Sequence, residues 1–224
     1  MKEAAYHYNQ QLLKIIGFSG VIGIPVLFLI MNASFVFANT DLEGQENFLL
    51  IFSNLLMFIL FIQPLRFLFE RSDQDEEVTM KEIIRHFLSS IGPILIMTFV
   101  MMGLVYIGMM LMMIPGIILF PFLFLMPFMY EREMTVKEWV KKTIRFHNDH
   151  LISIWVQLLL WGCFAFLVWA GFLYLLSLFE MTVLAFAIAR MIFCLFVFPF
   201  IVFGISDRLL ELAKEGATHE NSYI

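Results

Sequence analysis

From Met181 to Ser206 the chain carries one charge, Arg190. A guanidinium inside an apolar run is costly in a bilayer, and such residues usually face a bundle interior or water and serve function. Arg190 lies about 15 Å along a helix from Glu180. Glu180, Asp41, Glu43, Glu46 or a lipid phosphate are its candidate partners, and the simpler alternative is a side chain that snorkels to the headgroups. "HNDH", His147 to His150, offers two imidazoles and a carboxylate. A zinc site takes three or four ligands, with only His86 or Glu131 to complete it, so polar residues at a membrane surface are the expected reading and no metal is assigned. Nine of the 16 methionines fall between Met97 and Met129. Thioethers suit Cu(I), but pliable packing is the commoner use. Cys163 and Cys194 sit in apolar runs, with no disulfide framework. No phosphate loop, nucleophile elbow or zinc-peptidase helix is written here. No apolar run carries a carboxylate at its middle, where ion-coupled transporters place them. The expectation is a non-enzymatic protein without a cofactor.

The elements that must position these residues follow from composition. Of 224 residues, 61% are hydrophobic and 15% charged, with 27 Phe. A chain of this length cannot bury so much apolar surface in water, and about 20 apolar residues cross a bilayer. The uncharged runs predict six spans: about 15–38, 48–69, 91–112, 114–130, 151–178 and 182–206. Phe87 to Tyr130 is a run without charge, too long for one crossing and suited to a hairpin turning near "MMLMMIPG". Pro115 then falls in the first turn of the returning helix, where its missing N–H costs little. The N-terminal run is read as a retained span rather than a signal peptide. The fold class expected is therefore all-α: one polytopic membrane domain over 1–224 that ends in a tail, 207–224.

Apart from Arg190, every Lys and Arg falls in the termini or in the segments 66–90 and 131–150. The positive-inside rule then places both termini in the cytoplasm of a multi-pass cell-membrane protein. The net charge of −5, with no basic cluster free of acids, gives no reason to expect nucleic acid. "VTMKEIIRHF" (from Val78) and "MTVKEWVKKTIRF" (from Met134) repeat one pattern. Each opens on a Thr-x-x-Glu capping box, Thr79/Glu82 and Thr135/Glu138. Each then sets apolar residues on one helical face, Met80, Ile83, Ile84, Phe87 and Leu88, or Val136, Trp139, Val140, Thr143 and Ile144. Both are expected to be short amphipathic helices, about 79–88 and 135–146, lying in the cytoplasmic interface. Lys81, Arg85, Trp139, Lys141, Lys142 and Arg145 are their candidate docking residues. Their common position after a pair of spans points to an internal duplication.

The stretch Ile114 to Thr143 resembles a bacterial group of six-span proteins that includes YciC-type inner-membrane proteins and the membrane domain of some glycerophosphodiester phosphodiesterases. Pro115, Gly116, Ile117, Pro127, Glu131 or Glu133, and Lys141-Lys142-Thr143 stand where that group has its Pro-Gly-Ile opening, exit proline, acidic residue and basic helix. The resemblance implies fold and membrane location; the fused phosphodiesterase chemistry belongs to a separate domain.

Pro25, Pro121 and Pro199 would each release a carbonyl four residues back, at Val21, Ile117 and Leu195. Together with Pro115, Gly116 and Pro127 they are candidates for bent helices around a gate, or for ordinary tolerated prolines. Gly17, Ser19, Gly20 and Gly23 form a small face suited to helix packing. The function expected is an accessory or permease-like subunit that binds lipid or a membrane or cytoplasmic protein such as a transporter ATPase, with a homo-oligomer left open. The alternative is a small uncoupled transporter or channel for a lipid or hydrophobic compound.

Overall fold

In the computed structural model, residues 2–29, 32, 46–74, 76–178 and 183–221 are described. Among them the only regular structure is helical. The order is α1 (Lys2–Gln10), α2 (Leu12–Phe18), a π segment (Ser19–Gly23) continuing as helix over 24–29, α3 (Glu46–Asp73), α4 (Met80–Met112), α5 (Ile114–Leu119), α6 (Phe122–Met129), α7 (Val136–Asp149), α8 (Leu151–Ser177), α9 (Val183–Ile192), a second π segment (Phe193–Val197) and α10 (Phe198–Asn221). Four helices are long and apolar enough to cross a membrane: Leu12–Leu29, Met80–Leu111, Leu151–Ser177 and Ala185–Lys214. The expected span 48–69 lies within the 28-residue α3. Glu180, Asp41 and Glu43, named as partners for Arg190, lie outside the described residues.

The core forms where α3, α4, α6 and α10 meet, around Ile59, Leu65, Leu68, Ile94, Leu125 and Phe203. Phe18 joins it through the rings of Phe61 and Phe87, at 5.4 and 5.7 Å. The outer faces are apolar as well: Phe166 and Leu167 of α8 are 70% and 68% exposed. Side chains of that kind side by side on one helix call for an apolar solvent.

Three expectations about the elements change. The amphipathic segment 79–88 and the span 91–112 are one 33-residue helix, α4. Ile83, Phe87, Ser90 and Ile94 are all buried and form one continuous stripe, so packing carries the helix through Pro93. The expected span 114–130 is two short helices, broken at Phe120–Pro121. Proline removes the donor that Ile117 would use, and Phe120 N–H donates to that carbonyl in a tight turn instead, at 3.1 Å. The sixth expected span runs without a break into the tail, as α10.

The hairpin does turn at "MMLMMIPG". Met113 has φ 64° and ψ −42°, a conformation that costs a side-chain-bearing residue. Beyond it α5 lies backbone to backbone on α4: a Cβ on Gly108 would stand 2.7 Å from Gly116 N. Pro25 and Pro199 follow the π segments. Ile24 N–H donates to Ser19 O and Phe198 N–H to Phe193 O, five residues back, just before Pro25 and Pro199. Within the second, Phe196 O accepts from Tyr8 Oη at 2.9 Å. The two π segments pack on one another.

Candidate functional site

The charged residues of distant segments meet at one pole of the bundle. Its scaffold is α7, held on the end of α6. Thr135 caps α7: its hydroxyl accepts from Glu138 N–H at 3.3 Å, and its own N–H donates to Glu138 Oε2 at 2.9 Å. Thr79 and Glu82 make the same reciprocal box at the start of α4. The Glu138 carboxylate is held below its usual pKa by the Thr135 backbone N–H first, then the hydroxyl.

A helix leaves its last four carbonyls without intrahelical partners, and at α6 side chains from elsewhere serve the exit. Trp139 Nε1 donates to Met126 O at 2.8 Å, and Gln63 Nε2 from α3 donates to Tyr130 O at 2.7 Å. The Trp139 indole is 2% exposed and stands edge-on to Tyr130, with ring centroids 5.0 Å apart. Thr143, fully buried, returns its hydroxyl to Trp139 O at 2.9 Å. His147 lies a further turn along, buried against Phe122 with centroids 4.5 Å apart and no hydrogen bond on either ring nitrogen among the described residues. Burial lowers its pKa.

So α7 buries the line Trp139–Thr143–His147, while Val136 and Ile144, expected on the same face, are exposed. Trp139, expected as an outward docking residue, is turned inward because both its ring and its N–H find partners on α6 and Tyr130. Lys141, Lys142 and Arg145 remain outward and line an open cleft of about 840 Å³, with Arg66 and Phe128 on one side and Leu210 and Leu212 of α10 on the other. Arg66 lies over the Phe128 ring at 4.5 Å and gives Nε to Glu70 at 2.8 Å. Its Nη1 is buried with no partner among the described residues.

A second cleft, of about 400 Å³, runs beside the first turns of α4 and is lined by Arg71, Arg85, His86, Glu77 and, from the loop before α7, Arg132. His86 stacks on Phe67, with ring centroids 4.3 Å apart. Ion pairs knit the pole: Arg71 with Glu76, Lys142 with Glu131, Arg145 with Asp149 at 3.9 Å, and Lys214 of α10 with Asp73 at 3.0 Å. The N-terminal helix joins through His7 Nδ1 and Ser72 Oγ, 2.9 Å apart.

Of the residues singled out in the sequence, Arg85, Lys141, Lys142 and Arg145 come together here. Lys81 is exposed and lines neither cleft. Pro115, Gly116, Pro121 and Pro127 build the α5–α6 leg, where Pro127 is buried. Arg190 is half-buried in α9, one turn before the second π segment, and lines neither cleft. Of the "HNDH" pair, His147 enters the core and His150 lines the larger cleft. Arg66 and Gln63 carry no local signal in the sequence, because their roles depend on α6 ending beside α3. No family model, curated protein or solved structure matches the chain.

Proposed function

We propose that the chain is a six-span cell-membrane protein, kin to the six-span group it resembles, with both termini and the charged pole in the cytoplasm. Its role is that of a non-enzymatic accessory or permease-like subunit whose pole binds a membrane partner or lipid. One observation carries this reading: residues from α3, α4, the loop before α7, α7 and α10 line two wide clefts that carry charged side chains at one end. By contrast, two enclosed voids inside the bundle measure only about 30 and 10 Å³. A pull-down of the full chain in mild detergent tests it. Capture of a stoichiometric membrane or cytoplasmic protein, lost on Lys141→Glu with Arg145→Glu, or co-purification of a defined lipid, supports the reading. A chain that retains neither and moves a hydrophobic compound across liposomes overturns it.

The second reading, an uncoupled transporter for a lipid or hydrophobic compound, has its own support. The two π segments face each other across the smaller void, lined by Ser19, Gly23 and Cys194, and Arg190 lies one turn before it. π segments recur at functional places in helices. On this reading Arg190→Leu abolishes liposome flux and leaves insertion intact. Flux equal to wild type rejects it.

A further inference from the structure

The two clefts are built from matching positions of the repeated segments. In the register that pairs Thr79 with Thr135, Glu77 falls on Glu133, Glu82 on Glu138, Arg85 on Lys141 and Ser89 on Arg145. The first of each pair lines the smaller cleft and the second the larger one. Most charges there are already engaged. Glu82 and Glu138 hold the caps, Arg71 is paired with Glu76, Lys142 with Glu131 and Arg145 with Asp149. What is left over is also alike. Arg85 and Glu77 in one cleft, and their counterparts Lys141 and Glu133 in the other, make no ion pair among the described residues. The smaller cleft adds one more cation, Arg132; in the larger, Arg66 is committed to Glu70 and its Nη1 is buried.

A free cation beside a free carboxylate complements a ligand that carries a phosphate diester and an ammonium. Guanidinium and ammonium groups bind phosphate through charge-assisted hydrogen bonds, and the carboxylate accepts from a primary ammonium, whereas a trimethylated headgroup has no N–H to give and a glycerol headgroup no positive charge. We propose that the clefts are equivalent sites of an internal duplication, each seating the zwitterionic headgroup of an aminophospholipid. Phosphate sits on Arg85 with Arg132, or on Lys141, and the ammonium on Glu77 or Glu133. This rests on the reading that the pole lies at headgroup level and deepens it by naming the lipid.

The test is native mass spectrometry of the full chain from nanodiscs holding equal parts of phosphatidylethanolamine, phosphatidylglycerol and phosphatidylcholine. Two phosphatidylethanolamines per chain are expected, falling to one in Arg85→Gln or Lys141→Gln and to none in the double variant. All four leftover side chains are exposed, so the variants keep the fold. Glu77→Gln with Glu133→Gln keeps two lipids but loses the preference for the ethanolamine headgroup. Equal retention of the three lipids by wild type, or variants that lose none, overturns the proposal. So does free O-phosphoethanolamine that saturates both clefts in detergent and displaces the lipid, since the ligand would then come from solution. A captured protein partner without headgroup preference rejects this proposal alone and leaves the binding-pole reading in place.

Discussion

Trp139 is the side chain on which the larger cleft depends, though it lines no part of it. Replacing it by alanine removes an indole that is 2% exposed, its edge contact with Tyr130 and the donor to Met126 O. Buried Trp-to-Ala changes cost about 3–5 kcal/mol, and here the loss falls on the docking of α7 against α6. Trp139→Phe keeps most of the area and the ring contact, and loses the N–H. Leaving the Met126 carbonyl without that donor costs about 1–3 kcal/mol. Since about 1.4 kcal/mol is tenfold in an equilibrium constant, amide protection over 136–149 should fall roughly ten- to a hundredfold in the phenylalanine variant. In the alanine variant it should fall a hundred- to a thousandfold, or to the protection of an undocked helix. Hydrogen exchange followed by mass spectrometry on the chain in nanodiscs reads this directly, with Val136→Ala, exposed on the same helix, as the control within about 0.5 kcal/mol. Wild-type protection in Trp139→Ala refutes the anchoring argument, and equal effects in the two variants refute the role given to the hydrogen bond.

Thr135→Ala removes the cap of α7 and should cost about 1 kcal/mol, read as several-fold faster exchange over the first turn. Thr79→Ala should fray only the start of α4, because Ile83 and Phe87 pin the next turns. Met113→Gly relieves the positive φ and should stabilise the hairpin by about 1 kcal/mol, measured as a higher melting temperature. Gly116→Ala should lower it by about 1–3 kcal/mol of overpacking, since the new Cβ would stand 2.6 Å from Met109 N. His147 gives a pH dependence whose sign is fixed: burial favours the neutral ring, so its folded pKa lies below the ordinary value of about 6.5. Docking of α7 is then complete above that value and weakens as pH falls below it towards the folded pKa. Exchange over 136–149, corrected for intrinsic rates, should rise from pH 7 to pH 5 in wild type and stay flat in His147→Leu; the same rise in both would remove His147 from the explanation.

The parts of this architecture legible in the sequence were those set by local rules. Both capping boxes follow from Thr-x-x-Glu alone, and the turn before Ile114-Pro115-Gly116 follows from the length of the uncharged run and the place of the proline. What was not legible depends on neighbours. Periodicity assigned Val136, Val140 and Ile144 to the same apolar face as Trp139, yet the narrower line Trp139–Thr143–His147 is the one that is buried. A single turn of helix cannot reveal which third of an apolar face meets protein and which meets lipid, because both are apolar. Likewise 79–88 read as a separate element because its charges stop where the uncharged run begins, although helix geometry has no reason to break there and the stripe through Ser90 and Ile94 carries it on.

The same distinction bears on what the pole can do. The sequence places bases and acids together in these segments, and the geometry pairs Arg71, Lys142, Arg145 and Lys214 with Glu76, Glu131, Asp149 and Asp73. Exposed pairs of this kind contribute little to stability; their larger effect here is to cancel charge. The leftover set, not the total, therefore decides which ligand fits: Arg85, Arg132 and Glu77 in the smaller cleft, and the dipolar pair Lys141 and Glu133 in the larger. A surface of unspent lysines would attract any anionic membrane and weaken steeply with salt. A dipolar cleft should discriminate between headgroups of different net charge, and its selectivity should persist at ionic strengths where simple attraction to the leaflet is screened.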